Sequence, residues 1–258
     1  MKEALSLGYR MIDTAQAYCN EEGVGKAIAT CGIPRKEIFI VTKIWLSHYG
    51  YEACKASIAE SMRRLQTDYI DLVLLHQPYG DYYGAYKALE EAYREGKLRA
   101  IGVSNFYSAR LMDIVRHVEI PPMVNQVEAH VFTQRVEERK YMEEVKCVPM
   151  AWSPFVEGKN GFFTNETLAK IGKKYGKTVA QVALRYLMDL GFIVIPKSVH
   201  KERIEQNFNL FDFKLSDEDK AEIAKLDTGA PIVVKRHSTL ETTRFILDAA
   251  DAMKKKGI

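Results

Sequence analysis

Short apolar runs recur along the chain, separated by stretches with helical periodicity. The runs have nearly continuous hydrophobicity without polar alternation and occupy residues 9–12, 38–42, 70–75, 100–103, 123–127, 148–152 and 192–195. Strands covered on both faces have this composition, and parallel sheets flanked by helices are covered in that way. The pattern therefore predicts seven strands in an alternating β/α fold.

Several helices between and after these strands are marked by their apolar positions or their caps. After Tyr51, one helical face carries Cys54, Ile58, Met62 and Leu65. Thr178 and Gln181 have capping-box spacing, which predicts a helix that starts at Thr178 and ends before Gly191. A helix with Ser216 as its N-cap residue and a last helix over residues 240–255 are also predicted.

Length and strand spacing favour one kind of α/β fold. Units of roughly 25 to 45 residues fit an α/β barrel, and the 258 residues suit a single barrel domain. A Rossmann sheet would carry a G-x-G-x-x-G fingerprint, which the sequence lacks. We predict a TIM (β/α)8-type barrel with seven of its eight strands visible, spanning residues 1–258 as one domain in which residues 230–258 form a C-terminal tail.

Composition indicates which partners are excluded and which cellular compartment the protein occupies. The net charge of +3 is small and spread out, which argues against nucleic acid or a membrane surface as partner. No run approaches the roughly 18 apolar residues of a transmembrane helix. The four cysteines have neither CxxC spacing nor histidines at metal-ligand spacing, which indicates a reducing compartment. We expect a cytoplasmic protein.

Reactive or polar side chains close the predicted strands. In barrels of this kind the active site lies at the C-terminal ends of the strands. Here those ends carry Asp13, Lys43, His76, Ser104, Asn105, Gln126, Trp152 and Lys197. Each residue alone has an ordinary explanation as a loop, turn or core residue, but their convergence on one rim favours an active site.

The residue types in this set suit proton transfer by a tyrosine. A free phenol has a pKa of about 10 and is a poor acid at neutral pH unless an ammonium group favours its phenolate. Lys43 would supply that charge and Asp13 would hold the ammonium in place. Tyr18 would give the proton while His76 donates a hydrogen bond to the substrate oxygen.

A proton donor without a metal or a nucleophile indicates carbonyl reduction, which also needs a hydride and hence a nicotinamide. Barrels commonly bind phosphate after their last strands and at a helix N-terminus. The residues there are Lys197, Ser198, Arg203, Gln206 and Asn207. Lys197 and Arg203 would hold a 2′-phosphate, which favours NADPH, although such a pair is often only solvated. Trp152 would stack on the nicotinamide, and Ser104, Asn105 and Gln126 would bind its carboxamide.

Motifs throughout the chain resemble those of the aldo-keto reductases, particularly the bacterial 2,5-diketo-gluconate and small-aldehyde reductases. They are Gly-Tyr-Arg-x-Ile-Asp-Thr-Ala from Gly8, Tyr18 followed by Asn-Glu, Thr42-Lys43, Leu74-Leu75-His76, Gly102-Val103-Ser104-Asn105-Phe106, Asn125-Gln126, Ser153-Pro154 and Ile195-Pro196-Lys197-Ser198. The resemblance implies a catalytic tetrad and an extended NADPH site. The tetrad would be Asp13, Tyr18, Lys43 and His76, and the cofactor residues Ser104, Asn105, Gln126, Trp152, Ser153, Lys197, Ser198, Arg203, Gln206 and Asn207.

The resemblance also implies a substrate pocket and a quaternary state. The loop after His76 is short, which suggests an open pocket lined by Trp45, Tyr49, Tyr79 and Trp152. Family members begin with a hairpin and a first barrel strand, whereas this chain begins in the helix that follows them, so we expect a truncated or misassigned start. A monomer is expected for the family, with association if the barrel is open.

Two alternative functions follow from the sequence. A catalytically silent NADPH-binding or regulatory protein would fit the absence of the first strand. A metal-dependent hydrolase would need clusters of ligands at the strand ends, where Glu128 and His130 are the nearest pair and are better explained as an ordinary strand exit. We favour NADPH-dependent reduction of aldehydes and ketones without a metal, with small α-oxo-aldehydes and sugar-derived ketones as first candidate substrates.

Overall fold

The computed structural model describes residues 1 to 255, so the last three residues of the predicted tail lie outside the described part. The chain divides into two compact units. The first is formed by residues 1–125, 145–147 and the tail from residue 243. The second is formed by residues 126–144 and 148–242. No helix within residues 1 to 255 is both long and apolar enough to cross a bilayer.

Four parallel strands form the sheet of the first unit. They follow chain order as β1 (Met11–Asp13), β2 (Phe39–Ile44), β3 (Leu72–Leu75) and β4 (Ile101–Ser104). Every residue of β3 and β4 is buried, and so is all of β2 except Phe39. Strands covered on both faces cannot alternate in polarity, which explains their apolar sequences.

Helices of the first unit follow its strands in alternation. They are α1 (Lys2–Ser6), α2 (Glu21–Ala29), α3 (Tyr51–Leu65), α4 (Tyr82–Arg94) and α5 (Ser108–His117). The predicted apolar face of α3 is confirmed, because Cys54, Ile58 and Leu65 are buried. In the tail, α11 (Leu240–Lys255) has the predicted bounds.

The second unit repeats the alternation of strands and helices. Its parallel strands β6 (Val148–Trp152) and β7 (Ile193–Val194) pair with Met150 opposite Ile193. The helices are α6 (Val136–Glu144), α7 (Glu166–Tyr175), α8 (Val179–Asp189), α9 (Lys201–Phe208) and α10 (Asp217–Ala224). The predicted capping box of Thr178 and Gln181 is present, and the Ser216 side chain caps α10.

Strand β5 (Val124–Glu128) contributes its first two residues to the first unit and its last three to the second. With it, all seven predicted strands are found, numbered in chain order along the sheet. Strand β6 has the predicted bounds, and the ends of the other strands differ from the predicted ones by at most two residues. Ile70, predicted to start β3, instead makes an isolated bridge with Leu98.

Candidate active site

Lys43 and Asp13 form a buried ion pair in the first unit. Both come from neighbouring parallel strands, β2 and β1, so their positions follow from the register that places Asp13 beside Val41. Lys43 Nζ donates to Asp13 Oδ1 at 2.6 Å and to the carbonyl oxygen of Thr14 at 2.9 Å. The lysine is fully buried. An ammonium group inside a protein needs such acceptors, so this pair fixes a positive charge at the strand ends.

Tyr18 lies beside that charge. It ends the 3-10 turn Gln16–Tyr18, and the next residue, Cys19, takes a left-handed conformation with φ 52° that ends the turn. Lys43 Nζ lies 5.0 Å from the centroid of the Tyr18 ring. Half of the tyrosine is exposed, so its side chain lies beside a buried cation and is open to a ligand.

The 3-10 turn is held by the buried side chain of Gln16. Gln16 Oε1 accepts from the backbone N–H of Trp45 at 3.0 Å, and Gln16 Nε2 donates to the hydroxyl groups of Ser57 and Ser61 on α3. These bonds tie the turn to the end of β2 and to α3. The placement of Tyr18 is therefore set by a side chain that the sequence reasoning did not select.

His76 follows β3 directly and completes the predicted tetrad. Its ring makes edge contacts with Tyr18, at 5.9 Å between centroids, and with Trp45, at 5.0 Å. Burial and the charge of Lys43 hold the pKa of His76 well below its usual value of 6.5. The imidazole is therefore neutral at neutral pH, with one nitrogen as a hydrogen-bond donor.

The tail helix meets the aromatic residues beside the tetrad. Trp45, Ile246 and Ala250 form a buried cluster against which Tyr79 and Met253 pack. Tyr79 and Thr243 are joined by a hydrogen bond of 3.3 Å between their hydroxyl groups. Trp45 and Tyr79 were predicted from the sequence as pocket residues, whereas Ile246 and Ala250 were not. Their spacing on one face of α11 was the available signal.

Tyr49, the third aromatic residue predicted for the pocket, is held by the loop after β3. Its hydroxyl group donates to the carbonyl oxygen of Gln77 at 2.9 Å and accepts from the backbone N–H of the same residue at 3.0 Å. Burial raises the pKa of Tyr49 strongly, despite the opposing hydrogen bond to Gln77. This phenol therefore stays protonated and braces the loop that follows His76.

Ser104 and Asn105, predicted to bind the cofactor, are buried at the end of β4 in the first unit. Asn105 has φ 64° and donates through Nδ2 to the carbonyl oxygen of His76 at 3.1 Å. The asparagine thereby connects the ends of β3 and β4. Its left-handed backbone is one that asparagine tolerates better than most residues.

The remaining predicted cofactor residues belong to the second unit. Gln126 is buried and donates a hydrogen bond to the sulfur atom of Met150. Trp152 is the last residue of β6, Ser153 follows it, and both are half-buried. Lys197 and Ser198 lie between β7 and α9. Helix α9 then carries Arg203, Gln206 and Asn207, the first two exposed and the third buried.

The two cations among the predicted cofactor residues are available for an anion. Lys197 and Arg203 are exposed, and neither pairs with a carboxylate anywhere in residues 1 to 255. Surface cations that are not paired in the protein suit the phosphate groups of a nucleotide. This donor set fits the predicted NADPH.

The Glu128 carboxylate binds the start of the tail and the His130 ring. The Glu128 carboxylate accepts from the backbone N–H groups of Ile232 at 2.7 Å and Val233 at 2.8 Å and lies 3.1 Å from His130 Nε2. Burial acts to raise its pKa, but these bonds outweigh burial and lower the pKa of Glu128 below 4.5. Within residues 1 to 255, no group of three or more histidine, cysteine or acidic side chains is arranged to hold a metal ion.

The chain is similar to a well-defined set of proteins. Residues 1–228 match the sequence profile described as "Aldo/keto reductase family". The chain is 45% identical over 228 residues to the glyoxal reductase of Bacillus subtilis, covering 88% of this chain and 82% of that protein. It is 40% identical over 232 residues to the methylglyoxal reductase DkgA of Escherichia coli, covering 89% and 84%.

Solved structures share the fold. The aldo-keto reductase MGS-M4 from a deep-sea metagenome library has a TM-score of 0.90 and 44% identity, with 92% of this chain and 89% of that chain covered. An aldo-keto reductase of Bombyx mori, solved in complex with NADP, has a TM-score of 0.85 and 35% identity, with 90% and 82% covered. The predicted α/β fold of TIM-barrel type is confirmed.

Proposed function

The chain belongs to the aldo/keto reductase family, and we propose that Asp13, Tyr18, Lys43 and His76 are its catalytic tetrad. It is an oxidoreductase that reduces aldehydes and ketones to alcohols with NADPH. The observation that carries the assignment of residues is the fully buried Lys43 ammonium, held by Asp13 and placed 5.0 Å from the Tyr18 ring. Nothing in the relatives supports the alternative of a catalytically silent protein.

The tetrad residues have separate roles in the proposed reaction. NADPH, when bound, supplies a hydride to the carbonyl carbon. Neutral His76 donates a hydrogen bond to the carbonyl oxygen and polarises the bond. Tyr18 gives its phenolic proton to the oxygen as negative charge develops there. The Lys43 ammonium stabilises the phenolate that remains, and Asp13 keeps the ammonium in place.

The cofactor residues are proposed on their donor chemistry. In the first unit these are Ser104 and Asn105. In the second unit they are Gln126, Trp152, Ser153, Lys197, Ser198, Arg203, Gln206 and Asn207. Amide and hydroxyl groups suit the carboxamide of the nicotinamide, and the indole of Trp152 offers a flat face for its ring. The unpaired cations Lys197 and Arg203 suit the 2′-phosphate that distinguishes NADPH from NADH.

Small α-oxo-aldehydes and sugar-derived ketones are the proposed substrates, with Trp45, Tyr49 and Tyr79 at the pocket. Relatives named glyoxal reductase and methylglyoxal reductase support this choice, as does a structure named as a 2,5-diketo-D-gluconic acid reductase.

We further propose one barrel domain over residues 1–258 with 230–258 as its tail, a monomer, and a cytoplasmic location. The free state of all four cysteines supports that location.

Replacement of Tyr18 by phenylalanine tests the assignment. Tyr18→Phe removes the proton donor but keeps the ring, so kcat for NADPH oxidation with methylglyoxal should fall at least about 100-fold. The dissociation constant for NADPH, measured by fluorescence, should change less than about threefold. Tyr83→Phe, the same change on α4, is the control and should retain full activity. A Tyr18→Phe enzyme with near-normal kcat would refute the proposed proton donor.

A further inference from the structure

Trp45 carries a buried hydrogen-bond donor beside the proposed tetrad. The residue is only 8% exposed. Its indole Nε1 is buried, and no group in residues 1 to 255 accepts a hydrogen bond from it. Buried polar groups in proteins are nearly always paired, since an unmade hydrogen bond is costly. An unpaired donor in this place therefore points to an acceptor supplied by a ligand.

The surroundings of the indole explain why the protein itself does not pair this donor. The cluster that contains Trp45 is mostly apolar: Ile246 and Ala250 of α11 are buried in it, and Ala17, Leu46 and Met253 pack against it. The His76 ring makes an edge contact with the indole. The nearby hydroxyl group of Tyr79 is bonded to Thr243, and that of Tyr49 is bonded to Gln77. These contacts hold the ring without satisfying its nitrogen.

The position of the ring relates this donor to the reacting carbonyl. The Trp45 ring makes an edge contact with His76 at 5.0 Å between centroids, and His76 in turn makes one with Tyr18 at 5.9 Å. His76 and Tyr18 are the groups proposed to act on the carbonyl oxygen. The His76 ring therefore contacts both the proposed proton donor and the residue that carries the unpaired indole N–H.

We propose that the Trp45 indole N–H donates to the second oxygen of 1,2-dicarbonyl substrates, which makes Trp45 the residue that selects α-oxo carbonyl compounds. This inference rests on the proposed function. A substrate without the second oxygen leaves the donor unpaired in the complex, and sites with a buried donor discriminate strongly against such analogues. Because Nε1 is covered, some of the side chains packed around Trp45 must shift as the substrate enters.

Matched substrate pairs separate hydrogen bonding from simple packing. Methylglyoxal and propanal differ by one carbonyl oxygen, and so do phenylglyoxal and phenylacetaldehyde. Trp45→Phe keeps an aromatic ring but lacks the donor. For each dicarbonyl compound, kcat/KM of the wild-type protein should exceed that of Trp45→Phe about tenfold or more. For the matched aldehyde that lacks the second oxygen, the two proteins should differ less than about threefold. Intrinsic differences in reactivity cancel in this comparison of the two proteins.

A spectroscopic measurement on the wild-type protein does not depend on the folding of the variant. The chain has two tryptophans and therefore two indole N–H signals in a ¹⁵N-labelled sample. With NADP⁺ present no hydride is available, so methylglyoxal binds without reacting. One indole proton should move downfield on addition of methylglyoxal and stay in place on addition of propanal.

The outcomes distinguish this inference from the function on which it rests. Equal losses within each substrate pair, or indole signals that respond alike to methylglyoxal and propanal, would overturn the role of Trp45 as a selective donor and leave the reductase assignment intact. A wild-type protein that binds NADPH but reduces no member of either pair would overturn the proposed function itself.

Discussion

At the scale of single residues, the site depends on one buried charge. Lys43 has no exposed surface, and its ammonium group is tolerated because Asp13 and the Thr14 carbonyl oxygen accept hydrogen bonds from it at 2.6 and 2.9 Å. The same charge contributes, after burial, to the low pKa of His76. One cation therefore lies beside the Tyr18 ring and, together with burial, keeps the His76 imidazole neutral.

The neutral state of His76 predicts how stability depends on pH. Below pH 6.5 a histidine in the unfolded chain takes up a proton, whereas buried His76 does not, so the folded state loses relative stability as the pH falls. Near pH 5 the loss should reach about 1–2 kcal/mol. In thermal melts between pH 8 and pH 5, His76→Gln should show a smaller decrease in Tm than the wild-type protein. If Tm of His76→Gln decreases as much as Tm of the wild-type protein, the low pKa of His76 is not the cause. The control is His117→Gln, at an exposed site.

The proposed 2′-phosphate contact is tested at Arg203. Charge-assisted hydrogen bonds contribute about 1.5–3 kcal/mol, so Arg203→Ala should weaken NADPH binding by roughly 10- to 100-fold. NADH, which lacks the 2′-phosphate, should bind the variant about as well as it binds the wild-type protein. Lys173→Ala, at an exposed lysine on α7, should alter neither affinity. Equal weakening of both cofactors would show that Arg203 does not contact the 2′-phosphate.

At the scale of elements, the tail helix is attached to the site through one narrow face. Ile246 and Ala250 are buried against Trp45, whereas the neighbouring Leu247 is 40% exposed. A helix held by a few apolar contacts opens locally at lower free energy than the body of the protein. The cover over Trp45 is therefore expected to be less stable than the sheet beneath it.

Two adjacent substitutions on α11 test that attachment. Ile246→Ala removes a buried side chain and should destabilise the helix by about 2–4 kcal/mol. Amide hydrogen exchange should accelerate in residues 243–255 and remain slow in β2 and β3. Leu247→Ala changes an exposed residue and should leave exchange nearly unchanged. If both substitutions accelerate exchange equally, the helix is not held through Ile246.

At the scale of the whole molecule, the alternation of strands and helices could be predicted from the sequence, whereas contacts between residues far apart in the chain could not. The strands were found because both of their faces are covered, and the α8 cap was found because Thr178 and Gln181 interact locally. Tyr79 and Thr243 are 164 residues apart, and no periodicity predicts that pair. Gln16 was overlooked because glutamine is usually exposed, and its three buried partners come from elsewhere in the fold.

Isotope transfer from the cofactor tests the central claim most directly, since that claim is hydride delivery to a substrate carbonyl carbon. The wild-type protein would be given NADPH carrying deuterium at both positions of nicotinamide carbon 4, with methylglyoxal as substrate, and the alcohol product would be examined by mass spectrometry. Every product molecule should carry a single deuterium on the former carbonyl carbon. An unlabelled product, or consumption of NADPH without any alcohol, would contradict that claim.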